Sequence, residues 1–154
     1  MKDKTIIKCL ALYGASLIFF TFYNQTNYAS YPSDPPTDKI ADSLLIEAIV
    51  YVESRGNDSA YNKESGAVGC MQIMPVMVRE VNRICKLTQT DKSFTLEDRW
   101  DCGKSKEMFL LWKKFHHKTS TPERIARHWW GGPKYGEQEC SLFYWEQVKL
   151  NLEI

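Results

Sequence analysis

A chain of 154 residues carries 20 basic and 19 acidic side chains, a formal charge of +1, and five cysteines. That length suits one domain with a single buried core. Without Lys2, Lys4, Lys8 and Asp3 of the first 30 residues the remainder is close to neutral and has no basic block, which excludes nucleic-acid binding as its main role.

The N-terminus has the layout of an export segment. Met1–Lys8 is short and basic, Cys9–Tyr23 has no charge, Asn24–Ser30 is polar, and Tyr31-Pro-Ser-Asp-Pro-Pro36 reads as an extended linker. The apolar run is about 15 residues, short of the ~20 of a comfortable membrane span. The cleavage site is poor, because Ala29 has Asn27 two positions before it and Ser30 has Tyr28. Residues 1–30 are therefore expected to be a cleaved signal or an uncleaved membrane anchor attached through residues 9–23, with a cytoplasmic apolar arm as the third reading. Both export readings place the rest in the periplasm or at the cell surface, where disulfides persist.

Cys9 lies in the apolar segment, which leaves Cys70, Cys85, Cys102 and Cys140. Outside the cytoplasm these four allow one or two disulfides, with three pairings if all are used. In a reducing compartment they would be small buried hydrophobes.

From residue 38 onward the pattern is helical. Thr37 or Asp38 is placed to cap a first helix in which Ile40, Leu44, Leu45, Ala48, Ile49 and Val52 recur at helical spacing, and Gly56 is a natural stop. Asn57–Gly69 is rich in turn formers. Pro75 suits the first position of a second helix with Val78, Val81, Ile84 and Cys85 on its apolar side. Thr95-Leu-Glu-Asp98 has the capping-box pattern and opens a third helix through Phe115, with Met108, Leu111, Trp112 and Phe115 as its buried stripe. Thr121-Pro122-Glu123 opens a fourth that ends near Gly131-Gly132-Pro133, and Leu142–Leu150 is a fifth. No period-two strand stands out, so the expected class is all-α or mainly α, with room for a small irregular hairpin in the loops.

Glu53 is the carboxylate to weigh. A glutamate at a helix end is ordinarily a solvated surface residue. This one follows a strongly apolar run and so emerges at the edge of the core. It also lies in the last helical turn, where the helix dipole disfavours negative charge by ~0.3–1 kcal/mol. Desolvation by neighbouring aromatic rings would raise its pKa further, while Arg55 would oppose this if turned toward it. A carboxyl held protonated near neutral pH is equipped to act as a general acid.

Glu53-Ser54-Arg55-Gly56-Asn57, then Ala60, then Gly66-Ala67-Val68-Gly69-Cys70-Met71-Gln72-Ile73-Met74-Pro75 resembles the lytic transglycosylase SLT domain of the lysozyme-like superfamily. The ordered pair of motifs at this spacing is far more specific than either alone. Thr95–Asp98 resembles the family's next helix start, and Ile125–Pro133 sits where the family has an A-Y-N-A-G-P segment. The resemblance spans roughly residues 38–150 and implies a lysozyme-like single domain over residues 38–154, behind a linker at 31–37.

Carried onto this sequence, the resemblance implies that Glu53 is the catalytic acid/base and that Ser54, Met71 and Gln72 line the sugar sites of a peptidoglycan glycan strand. Cys70 stands where the family has leucine. Trp129-Trp130 stands where it has a Tyr-Asn pair that helps orient the glutamate or hold the substrate. An indole donates a hydrogen bond and stacks on sugars, but it cannot accept as asparagine does. The family works without a second carboxylate, and the product implied is a 1,6-anhydro sugar; no cofactor is expected.

Other features are weaker. Asp58, Glu64, Asp98 and Asp101 are available as the second carboxylate of a hydrolase such as a goose-type lysozyme, but no motif recommends one. A non-catalytic glycan-binding module on the same fold is the third alternative, prompted by Trp129-Trp130. Trp129, Trp130, Tyr135, Tyr144 and Trp145 are candidates for sugar stacking. Trp145 and Tyr144 fit better as core residues of the last helix, and at least one of Trp129 and Trp130 is expected in the groove. His116-His117 reads as a solvated helix end. With His128 it lacks any Cys/His cluster of ligand spacing, so no metal is expected.

Overall fold

A computed structural model describes residues 41–152; the export segment and linker expected over residues 1–37 lie outside the described residues. Among the described residues five α-helices follow one another: α1 (Asp42–Ser54), α2 (Pro75–Leu87), α3 (Cys102–His116), α4 (Pro122–Tyr135) and α5 (Cys140–Leu150), with a short 3-10 helix at Glu97–Trp100. The class is all-α, as the hydrophobic spacing predicts. Among the described residues no helix is long and apolar enough to cross a membrane.

α1 supplies the core with Leu45, Ile46, Ala48, Ile49 and Val50. It starts later than expected, with Ala41 in the extended N-cap conformation, and Leu44 is exposed at 57 %. Thr37 and Asp38, the expected caps, lie outside the described residues. The helix ends as foreseen in left-handed backbone, shared by Arg55 (φ 56°) and Gly56 (φ 79°). α2 buries all four predicted residues, Val78, Val81, Ile84 and Cys85.

The single third helix is divided. The Asp98 carboxylate accepts from the Thr95 backbone N–H at 2.7 Å, one half of a capping box, but only the short 3-10 turn follows. Asp101 then caps α3, accepting from the Lys104 N–H at 3.0 Å. A second cap three residues after the first divides the helix. Within α3, Met108, Phe109 and Trp112 are buried, whereas Leu111 and Phe115 are only half-buried.

Thr121 caps α4 through the Arg124 N–H, and Pro122 occupies its first turn. Gly132 does not end α4; it kinks it, at φ 59° and ψ −168°, and another turn runs on to Tyr135. α5 packs along both α4 and α1. Its buried face is Cys140, Ser141, Tyr144, Trp145 and Val148, so the core reading of Tyr144 and Trp145 holds.

Candidate functional site

The loop between α1 and α2 is irregular but closely tied. Tyr61 pairs antiparallel with Val68, and Val68 with Ile73, which is the small hairpin-like element anticipated in the loops. Gly69 (φ 77°) lies against the 3-10 helix, where a Cβ would overlap the Arg99 carbonyl oxygen. Arg99 is buried; its guanidinium donates to the carbonyls of Leu96 (2.8 Å), Gly66 (3.0 Å) and Ile73 (3.1 Å). A Cys70–Cys102 disulfide clamps the same loop to the start of α3. Cys85 and Cys140 are buried and stand outside this bridge, so the expectation of one or two bridges resolves to one among the described residues. Sequence spacing gave no sign of Arg99, because two of its three acceptors are backbone carbonyls 26 and 33 positions away.

Glu53 sits in the last turn of α1 and borders an open cleft of about 370 Å³ lined also by Ala60, Tyr61, Asn62, Lys63, Glu64 and Gln72. Its side chain is half-buried. Loss of water around the carboxyl raises its pKa from 4.5 to about 7, against an opposing hydrogen bond from Tyr144. The Tyr144 hydroxyl of α5 donates to Glu53 Oε1 at 2.8 Å. Its burial, and then the same contact, push the Tyr144 phenol well above 10, so it stays a donor. A carboxyl with pKa about 7 exists in both forms near neutrality, which suits one group to give a proton and later take one.

The pairing of Tyr144 with Glu53 is the feature of the site that sequence reasoning missed. Its position at helical spacing in an apolar helix marks it as core, and only the packing of α5 on α1 aims its hydroxyl at the carboxylate. Trp130 stacks on Tyr144 with ring centroids 6.1 Å apart and planes at 23°. Trp129 packs edge-on against Phe109 (4.9 Å) and Trp112 (5.3 Å). Both tryptophans are half-buried against the core, and neither borders the Glu53 cleft.

The residues expected to line the sugar sites separate. The Ser54 hydroxyl donates to the Cys70 carbonyl at 2.8 Å and accepts from the Asn57 N–H at 3.0 Å, so it joins the end of α1 to the loop. Met71 is fully buried in the core. Gln72, in left-handed backbone at φ 48°, borders the cleft; its amide nitrogen donates to Gly69 (3.1 Å) and Ala60 (3.3 Å), which reserves the amide oxygen for other partners.

Among the other carboxylates, Asp98 and Asp101 are engaged as caps, Asp58 is exposed near the disulfide, and Glu64 borders the cleft. Asp58, Cys70 and Cys102 form the one Asp/Cys/His grouping close enough to hold a metal among the described residues, but both thiols are consumed in the disulfide. The histidine pair is not a uniformly solvated end. His116 meets Glu80 at 2.7 Å, but His117 is buried against Trp112, bonded to Ser120 through Nδ1, and held neutral with a pKa near 4 by desolvation.

Residues 37–99 match the family model described as the transglycosylase SLT domain. That stretch takes in α1, Glu53, the cleft loop, α2 and most of the 3-10 helix, and over it the chain is similar to a peptidoglycan-acting domain of the lytic-transglycosylase or lysozyme-like type. α3 to α5, with Trp129, Trp130 and Tyr144, lie beyond the match. No curated protein and no solved structure matches the chain.

Proposed function

We propose that this protein is an exported peptidoglycan lytic transglycosylase in which Glu53 is the single acid/base. The observation that carries the reading is a carboxyl with a pKa raised to about 7 at the edge of an open cleft, inside the segment that matches the SLT domain.

In the first half-reaction the protonated Glu53 gives its proton to the oxygen of the β-1,4 bond between N-acetylmuramic acid and N-acetylglucosamine, and the C1–O bond breaks. In the second, the Glu53 carboxylate takes the proton of the C6 hydroxyl on the same muramic ring as O6 bonds to C1. The products are a free 4-hydroxyl and a 1,6-anhydro end; no water is consumed and Glu53 returns to its starting form. Intramolecular attack makes a second carboxylate unnecessary, because the nucleophile is already next to its target. Tyr144 acts as a positioning residue: its O–H holds Oε1 and stabilises the carboxylate between the two steps. Gln72 offers its amide oxygen to an N–H of the glycan or its peptide.

The Cys70–Cys102 disulfide supports a site of action outside the reducing cytoplasm, in keeping with export through residues 1–30 as a cleaved signal or an anchor. Glu64 on the cleft rim carries the second reading, a hydrolase that activates water with a second carboxylate. Digestion of purified peptidoglycan followed by mass spectrometry separates the two. Anhydro ends that disappear in Glu53→Gln support the lyase; reducing ends that disappear in Glu64→Gln establish the hydrolase instead. Absence of either product from the intact protein leaves the glycan-binding module.

A further inference from the structure

Trp100 has no part in the chemistry above, yet it stands 43 % exposed at the end of the 3-10 helix. It faces Tyr61, which is 58 % exposed, with ring centroids 6.4 Å apart and planes tilted by 48°. Two large rings left together in water are unfavourable unless something covers them, and contiguous exposed apolar surface beside a cleft marks a contact site. Tyr61 also borders the Glu53 cleft, so the pair is continuous with it.

Both rings are mounted rigidly. Tyr61 is held by its pairing with Val68. Trp100 is bracketed by Arg99, fastened to three backbone carbonyls, and by Cys102, fastened to Cys70. The strongest ties in the loop therefore converge on two exposed side chains. A preorganised platform loses little conformational freedom when a ligand arrives.

We propose that Tyr61 and Trp100 form a stacking subsite for a pyranose ring of the glycan strand whose scissile bond lies at Glu53. The proposal deepens the lytic-transglycosylase reading and rests on it for the identity of the glycan. The surroundings fit a sugar rather than an apolar ligand: Asn62, Lys63, Glu64 and Gln72 line the adjoining cleft and offer donors and acceptors. A pyranose presents C–H bonds on its face and hydroxyls at its rim, so the aromatic pair meets the face while the polar residues meet the rim. A bound ring here gives the enzyme a hold on a polymer beyond the bond it cleaves.

The test uses Glu53→Gln protein, which keeps strands intact, and soluble un-cross-linked glycan strands as the probe. Adding Trp100→Ala is expected to weaken strand binding on the order of tenfold, whereas Trp100→Phe, which keeps a ring, stays near the parent. Thermal midpoints of all three should agree. In the active enzyme Trp100→Ala raises KM for polymeric glycan and leaves kcat in place, and Tyr61→Ala acts in the same direction. Equal affinity of the parent and the Trp100→Ala protein overturns the proposal. So does an equal loss in Trp100→Phe, or failure of the parent to bind strands. The lyase reading fails by a separate result, the absence of anhydro ends with intact enzyme; strand binding that depends on Trp100 would uphold the subsite even then.

Discussion

The Tyr144 hydroxyl donates to Glu53 Oε1 at 2.8 Å across 91 positions of sequence. α5 carries the donor and the last turn of α1 the acceptor, so a helix outside the SLT match holds the carboxyl inside it. Two opposing influences meet at that atom. Burial favours the proton on Glu53, the phenol favours the charge, and burial is the stronger.

Glu53→Gln is expected to lower wall-lysing activity by at least ~10²–10⁴-fold, the usual worth of a general acid/base. It should also stabilise the fold in a pH-dependent way. The folded pKa of Glu53, about 7, lies above its ordinary 4.5, so its favourable contribution is complete below pH 4.5 and is lost as pH rises through 7. The loss is on the order of 3 kcal/mol at most. Melting temperatures of the two proteins should therefore diverge between pH 5 and 8 and change little in parallel at higher pH; equal curves would refute a perturbed Glu53. In kcat/KM, the limb reporting the acid should fall above pH 7.

Tyr144→Phe removes the donor but keeps the ring that Trp130 stacks on. The opposing influence disappears, so Glu53 should titrate higher and the alkaline limb of the pH–rate profile should move up. A charge-assisted hydrogen bond is worth about 1.5–3 kcal/mol, which places the loss of kcat near tenfold to a hundredfold. A purely structural tyrosine would lower activity without moving the profile.

Replacing Cys70 and Cys102 with alanine opens a loop closed over 32 positions. The expected destabilisation is about 2–4 kcal/mol. Chemical denaturation should show it, and reduction of the wild-type protein should reproduce it. A dithiol reagent that leaves the denaturation midpoint unchanged would count against a structural bridge.

Gly69→Ala forces a Cβ into the Arg99 carbonyl while the backbone keeps φ near 77°. Left-handed strain alone costs ~1–3 kcal/mol, and the overlap adds to it. Circular dichroism melts should fall further for this variant than for Gly66→Ala, where φ is also positive but nothing obstructs a Cβ.

Most of the helices are legible in the chain because their signals are local. Pro75, Thr121-Pro122 and the apolar faces at i, i+3 and i+4 act over a turn or two, and α2 and α4 begin where those residues say. The errors are local as well. Asp101 caps a helix that Thr95 was expected to open, and Gly132 with Pro133 kinks α4 without stopping it. His117 looks solvated in sequence and is buried, with the rings of Trp112 and His128 packed against it.

By itself, the sequence determined the helical class, the position of Glu53 at the end of an apolar helix, and the two motifs that resemble the SLT domain. Those rest on periodicity and short spacings, which the chain carries wherever it folds. The tertiary structure alone decided which partners Glu53 has. Tyr144, Arg99, the Cys70–Cys102 pairing and the Tyr61–Trp100 platform join residues 26 to 91 positions apart, or rings on separate elements. Trp129 and Trp130 changed meaning for the same reason. In sequence they replace a Tyr-Asn pair, whereas in the fold one supports the α3 core and the other backs the tyrosine that holds Glu53. A hydrogen bond formed by helix packing leaves no periodic trace in either helix.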